Sequence, residues 1–393
     1  MTTSVESQPF EFAQPRIMRI GGGALAHIAD VVSSLGVRRP LLVTDRFLVT
    51  TGVADRVALL LTEAGLHPRV FADTVPDPTT ESVSAAVDAA LDHQADSVIG
   101  LGGGSPMDTA KAVALLASQG GVMAQYRAPL RNDGSALPII AVPTTAGSGS
   151  EATQFTIITD GATDEKMLCT GPAFLPVAAI VDYELTVSMP ARLTADTGID
   201  ALTHAVEAYV SRKANPFSDA LCLSAITTIG TALRVAVADG TDREARSAMM
   251  RASTQAGIAF SNSSVALVHG MSRPIGGHFH VAHGLSNAML FPTVTEFSIA
   301  GAVPRYADCA RAFGAASLSD DDATAAAALV TALKDLCADL AVPTPQGYGI
   351  GRTAWDTLIP TMVAQAVASG SPSNNPRLPS DAEIGDIYST IYS

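Results

Sequence analysis

Charge is scarce in this chain and aromatic residues scarcer: of 393 residues, 16% are Asp, Glu, Lys or Arg, 5% are Phe, Trp or Tyr, and one is tryptophan. No basic tract opposes the formal net charge of −14, which excludes the footprint of a nucleic-acid binder or of a protein lying on an anionic membrane. No apolar run reaches the roughly 20 residues of a membrane span, and the opening MTTSVESQPFEFAQP lacks the basic and apolar regions of a signal peptide. A cytoplasmic protein is the expectation. The four cysteines, Cys169, Cys222, Cys309 and Cys337, form no C-x-x-C, so neither a zinc-thiolate site nor a redox pair is encoded. Repeats and low-complexity tracts are also missing; the loosest stretch is SGSPSNNPRLPSD at 369–381.

What is abundant is apolar: 47% of the residues are hydrophobic, enough for well-buried helices. The length exceeds what one core usually serves, so two domains are expected. Apolar surface left over would serve subunit contacts, and a homo-oligomer is the expectation. From about residue 10 to 185, short apolar runs alternate with helical patterns: RPLLVTD (39–45), HPRVFAD (67–73), ADSVIGLGGG (95–104), LPIIAVPTT (137–145) and VAAIVD (177–182). That rhythm indicates a parallel sheet with crossover helices. After Pro190 the pattern becomes helical, as over 200–211, 216–235, 242–261 and 321–340. The expectation is therefore an α/β domain over 1–188 and an all-α domain over 189–393, with a ligand in the cleft between them.

Two groups of residues carry chemistry. In TGIDALTHAVEAYVS, Asp200 and His204 stand four apart, on one face of a helix. His269 and His283 follow in HGMSRPIGGHFHVAHG, and five of the eight histidines fall between 204 and 283, beside what read as Gly-rich turns. One carboxylate and three imidazoles suit a divalent first-row ion; the same pair also occurs as an ordinary packed or hydrogen-bonded contact. The second group is Gly102-Gly103-Gly104-Ser105, where a strand pattern runs into a helix with Pro106 in its first turn. Glycines there admit a pyrophosphate to exposed backbone N–H groups and the positive end of the helix. The stretch fits neither G-x-G-x-x-G nor G-x-x-x-x-G-K-[ST], and a tight turn without ligand is the alternative. A second turn, PTTAGSGSE (143–151), offers the hydroxyls of Thr144, Thr145 and Ser148, and two such loops at one sheet edge favour a dinucleotide. Asp45, ending the 39–45 run, would accept ribose hydroxyls and repel a 2′-phosphate, favouring NAD over NADP; capping of the next helix is its other reading.

Taken together, GGGSPMDTAK (102–111), PTTAGSGSE (143–151), MPARLTADTGIDALTHAVEAYVS (189–211) and FSNSSVALVHGMSRPIGGHFHVAHGLSNAMLFP (260–292) resemble the iron-dependent alcohol dehydrogenase family, over roughly residues 10 to 295. The resemblance implies a nicotinamide-binding α/β domain followed by an all-α metal-binding domain, the dehydroquinate synthase-like fold, with the active site between them. It puts metal ligands at Asp200, His204, His269 and His283, and cofactor contacts at Asp45, Gly102, Gly103, Gly104, Ser105, Asp108, Thr144, Thr145, Ser148, Lys166 and Leu185. Phe260 falls on an aromatic lining the substrate pocket. Three residues depart from the pattern. Arg273 stands where some relatives carry a histidine that moves protons or positions substrate, so His278 and His280 become candidates for that role. Ser148 replaces a frequent threonine and keeps the hydroxyl. Asp77 replaces a frequent asparagine and leaves a ribose-side contact open. The implied reaction interconverts a small primary alcohol and its aldehyde with NAD(H) and Fe(II), zinc being the alternative metal. Runners-up are a polyol or hydroxyacid dehydrogenase, of glycerol, propanediol or 4-hydroxybutyrate type, and a dehydroquinate synthase-like lyase.

Overall fold

A computed structural model describes residues 9–163 and 165–393; the first eight residues of the stretch read for a signal pattern lie outside it. The chain divides into two compact units, one from Ala13 to Ser188 and one from Met189 to Ser393, which also takes the segment ending at Phe12. Phe10 and Phe12 account for that assignment, since both rings pack on Phe217, with centroids 5.8 and 5.5 Å away.

In the first unit, strands β1 (Ile17–Ile20), β2 (Pro40–Val43), β3 (Arg69–Phe71), β4 (Ser97–Gly102), β5 (Ile139–Pro143) and β8 (Ala178–Val181) form a six-stranded sheet in the order β1-β8-β5-β4-β2-β3. Every pairing is parallel. The central strands β2, β4, β5 and β8 are buried throughout, whereas β1 and β3 lie at the edges and are partly exposed. Central strands of a parallel sheet are covered on both faces and read as unbroken apolar runs, which is why those four stand out in the sequence. A hairpin of β6 (Phe155–Thr159) and β7 (Lys166–Thr170) is antiparallel and separate from the sheet. From β2 the chain proceeds to β3 on one side, and from β4 to β5 on the other. The point between β2 and β4 is thus a topological switch, where open α/β sheets form a ligand crevice outside the strand ends. Asp45 follows β2 and Gly103 follows β4.

The second unit is helical among its described residues. Its centre is the Ala191–Val210 helix, buried along almost its whole length and packed against the Pro216–Ala238, Arg243–Ser263 and His283–Ser298 helices. Arg246 fixes where that central helix starts: the guanidinium donates to Met189 O, Gly240 O and Thr194 Oγ1 at 3.0, 2.9 and 2.8 Å. Asn215 and Ser218 form a reciprocal capping box at the start of the Pro216–Ala238 helix, and Asp242 accepts Ala245 N–H at the next, both standard helix-start chemistry.

The Pro216–Ala238 helix qualifies the sequence reading, because it is long and apolar enough by composition to cross a membrane. Cys222, Ala225, Ile226, Ile229 and Leu233 bury one side of it within the unit, and Asp219 and Arg234 engage Arg305 and Asp339. It is a core helix of the bundle.

A second difference concerns 267–298. The stretch read as Gly-rich turns is two helices, Leu267–Phe279 and His283–Ser298, interrupted only around His280, whose φ of 53° closes the first. Two of its glycines sit at close contacts. A Cβ on Gly270 would lie 2.8 Å from Pro372 Cδ, and one on Gly284 would lie 2.5 Å from Asp196 O.

Candidate functional site

A helix buried on all sides should be apolar unless each polar group has a partner. The Ala191–Val210 helix instead buries Asp200, His204 and Glu207, exposed by only 3, 4 and 3%. These three share one face, and the two neighbouring helices bring His269 and His283 to them. One ligand atom from each of Asp200, His204, His269 and His283 lies within 4.8 Å of the others. Asp200 Oδ1 stands 3.9, 3.6 and 3.7 Å from the Nε2 atoms of His204, His269 and His283. The close approach at Gly284 is what lets the helix beginning at His283 reach Asp200; the Cβ position of Gly284 is also 3.4 Å from Asp200 Cβ.

Glu207 and Asn287 complete this cluster and were not singled out in the sequence. Glu207 accepts Ala266 N–H at 3.0 Å and Val268 N–H at 2.6 Å. It thereby caps the Leu267–Phe279 helix, which has no side-chain cap of its own. The same carboxylate meets His269 Nδ1 at 2.7 Å. A carboxylate only accepts, so the neutral ring carries its proton on Nδ1 and turns the Nε2 lone pair toward Asp200 and the other histidines. Asn287 lies one turn beyond His283 and donates from Nδ2 to Asp200 Oδ1 at 2.6 Å, with His269 Nε2 and His283 Nε2 at 3.1 and 3.3 Å. Its Oδ1 is buried without a partner. Helical periodicity was the available signal for both: Glu207 is three residues from His204, and Asn287 four from His283.

The electrostatics match a cation site. Burial works against the Asp200 charge, but the imidazoles of His204, His283 and His269 outweigh it and hold the carboxyl far below its usual range. Burial likewise disfavours charge on His269, yet hydrogen bonds to Asp200 and Glu207 raise it above the ordinary histidine range. Three nitrogens and one oxygen with converging lone pairs, one nitrogen locked in the required tautomer, fit a divalent first-row ion.

Phe260 stacks on His204 with ring centroids 4.2 Å apart and is 7% exposed; it walls the cluster. His278 and His280 are not part of it. His278 Nε2 bonds Gln365 Oε1 at 2.9 Å, and His280 is exposed at the break between helices. The His283 side chain is 38% exposed against about 5% for the other three residues, so the cluster opens on that side.

In the sheet-bearing unit the two glycine-containing turns pack on each other. The Cβ position of Gly103 is 3.3 Å from Thr145 Cγ2, that of Gly104 is 3.7 Å from Ser148 Cβ, and Thr144 N–H donates to Gly102 O at 2.9 Å. Gly102 adopts φ 148°, and a Cβ there would meet Pro106 Cγ at 2.6 Å. The Gly104–Gln119 helix begins after Gly103 with no side-chain cap, so its first backbone N–H groups remain available to an anion.

Several residues expected at a cofactor have further duties. Asp45 accepts Leu48 N–H at 2.9 Å, capping the Arg46–Thr50 helix, while Arg46 pairs with Asp73. Asp108 is half-buried and its oxygens accept Ser150 Oγ–H and Ile157 N–H, both at 3.1 Å, tying the second turn to β6; desolvation pushes its carboxyl up to about 6 against the pull of Lys111. Asp77 accepts Lys166 Nζ at 2.8 Å and gives its N–H to Ser105 Oγ at 3.3 Å. Leu185 packs against the core beneath the sheet. A further glycine run, Gly21-Gly22-Gly23, was passed over; buried Asp182 holds it by accepting Gly23 and Leu25 N–H at 3.2 and 3.0 Å.

Comparisons with known proteins agree with this chemistry. The family model described as "Iron-containing alcohol dehydrogenase" matches residues 15–183, and that described as "Fe-containing alcohol dehydrogenase family, C-terminal" matches residues 194–392. Long-chain-alcohol dehydrogenase 1 of Geobacillus thermodenitrificans is 42% identical, over 89% of each chain. The NAD-dependent methanol dehydrogenase of Bacillus methanolicus is 37% identical, over 96% of this chain and 98% of its own. A crystal structure of 1,3-propanediol oxidoreductase superposes with a TM-score of 0.93 at 34% identity, covering 98% of this chain and all of that one.

Proposed function

Since the chain belongs to the iron-containing alcohol dehydrogenase family, we propose that Asp200, His204, His269 and His283 hold its metal, and that the turns at 102–105 and 143–151, with Asp45, hold NAD. The chain is an NAD-dependent alcohol dehydrogenase of the metal-containing kind: it interconverts an alcohol and its aldehyde, one hydride passing to or from the nicotinamide and one proton to or from solvent. The carrying observation is the convergence of four potential ligand atoms, from Asp200, His204, His269 and His283, within 4.8 Å of one another in a helix bundle. Iron, when bound there, supplies the Lewis acidity that eases loss of the alcohol proton.

The chain's own residues do the rest. Glu207 keeps His269 in the tautomer that presents Nε2, and Asn287 fixes the direction of Asp200. Phe260 stacks on the far side of His204 and shields the ligands from water. The partly exposed His283 marks the side from which an alcohol reaches the cluster. In the other unit, the helix start after Gly103 receives the pyrophosphate, and Asp45 accepts a ribose hydroxyl through the oxygen not used in its cap. Asp45 repels a 2′-phosphate, and Arg46 beside it, paired with Asp73, offsets only part of that repulsion, which favours NAD over NADP. Fe(II) is the metal of choice, since the protein fills four positions and substrate needs another, whereas zinc more often stops at four.

We place the enzyme in the cytoplasm, where its four free cysteines stay reduced, as a homo-oligomer that covers apolar surface such as Phe217, 63% exposed. The decisive experiment pairs metal analysis with NADH formation over a panel of primary alcohols. His269→Ala should lose iron and at least about a thousandfold in kcat while still binding NAD. Substantial turnover by metal-stripped protein would overturn the assignment.

A further inference from the structure

Arg273 lies one turn beyond His269 on the Leu267–Phe279 helix, so the two share a face. Helical side chains lean toward the helix N-terminus, which carries this guanidinium back over the turn that holds His269. Among the described residues no hydrogen bond or ion pair satisfies it, and its Nε is shut off from solvent without a partner. Other arginines of the same unit are treated differently: Arg192, Arg305 and Arg377 each meet a carboxylate. Glu207 is the acid whose field reaches Arg273, yet its oxygens already accept Ala266 N–H, Val268 N–H and His269 Nδ1–H. Burial lowers the guanidinium to about 10, which leaves it cationic at neutral pH.

A half-buried cation beside a reaction centre, given no ion pair among the described residues and only the field of an already engaged Glu207, is complementary to an anion brought by a ligand. We infer that Arg273 recognises the far end of the substrate and that this end is a carboxylate, so that the alcohol is a short hydroxy acid and the product its semialdehyde. The planar guanidinium meets a planar carboxylate through two parallel hydrogen bonds. A helix rises about 6 Å over four residues, which sets the acid group a few bonds from the reacting carbon. The inference rests on the alcohol dehydrogenase reading of the metal centre and deepens it.

The test compares kcat/KM for 4-hydroxybutyrate and 1-butanol, equal in carbon number, with iron-loaded enzyme and NAD. Wild type should prefer the hydroxy acid by at least about tenfold, and Arg273→Met should erase the preference, chiefly through KM. Arg273→Lys should keep part of it, as a point charge without the fork. Butyrate, which cannot react, should compete against wild type and fail against Arg273→Met. Iron content and melting temperature, measured for all three proteins, separate recognition from misfolding. Wild-type preference for 1-butanol, or a preference that survives Arg273→Met, would overturn the inference and leave the alcohol dehydrogenase reading intact. Should Arg273→Met lose iron or melt early, butyrate against wild type decides alone, and absence of competition overturns the proposal. Turnover of neither alcohol removes the reading beneath it.

Discussion

The two units build their proposed sites from different parts of the chain. The sheet-bearing unit works with backbone: glycines 102 to 104 and an uncapped helix start, with the Asp108 side chain and the Thr144 backbone N–H holding loops in place. The helical unit works with side chains, four of them converging and two more, Glu207 and Asn287, holding those four in direction. A site of backbone N–H groups spreads its contribution over many small contacts. A site of converging side chains concentrates it, so one displaced group removes the whole. Substitutions should therefore be graded in the first unit and close to all-or-none in the second.

Gly284→Ala is the strongest way to break that contrast. The added methyl would lie 2.5 Å from Asp196 O, so the helix bearing His283 must retreat from the helix bearing Asp200. Overpacking of this kind costs about 1–3 kcal/mol; iron should be lost with it, as metal analysis and a thermal melt would show. A variant that keeps iron and stability would mean the close approach is not what sets the ligands.

Glu207→Gln is expected to weaken iron binding about 10- to 100-fold, the usual range for a group that orients a ligand, while NAD affinity stays unchanged. It also carries a pH signature. Proton and ion compete for His269, whose proton is held above the ordinary histidine range because Asp200 and Glu207 outweigh burial. Iron affinity in wild type should therefore rise with pH until His269 has released its proton. Removing the Glu207 charge should move that rise to lower pH, and an unmoved profile would detach Glu207 from the tautomer.

The smallest effect belongs to the sheet-bearing unit. Asp45→Gly should relax the preference for NAD over NADP several-fold with hardly any change in melting temperature, since glycine serves as an N-cap within a few tenths of a kcal/mol of aspartate. An unchanged ratio of efficiencies for the two cofactors would leave Asp45 with the cap alone.

The same contrast governs what could be read from sequence. Central strands announce themselves because burial on both faces demands runs such as LLV and SVIGLG. The edge strand IMRI and the hairpin FTIIT/KMLCT face open surface on one side, so their polar interruptions hid them. In the helical unit, Asp200 and His204 were legible from spacing on one helix. The helices carrying His269 and His283 were not, because Gly270, Gly284, Pro274 and Pro292 are turn residues by local preference. Here tertiary contact overrides that preference: the glycines are needed where helices touch. Glu207 was invisible as a cap because it caps a helix other than its own.

The uneven exposure of the four proposed ligands has a consequence for exchange kinetics. Three of them are walled in and His283 alone stands at the rim, so an ion held there would enter or leave past that one ring. The rate at which a chelator strips the protein should then follow the swing of a single imidazole and level off as chelator is added, however tightly the other three hold.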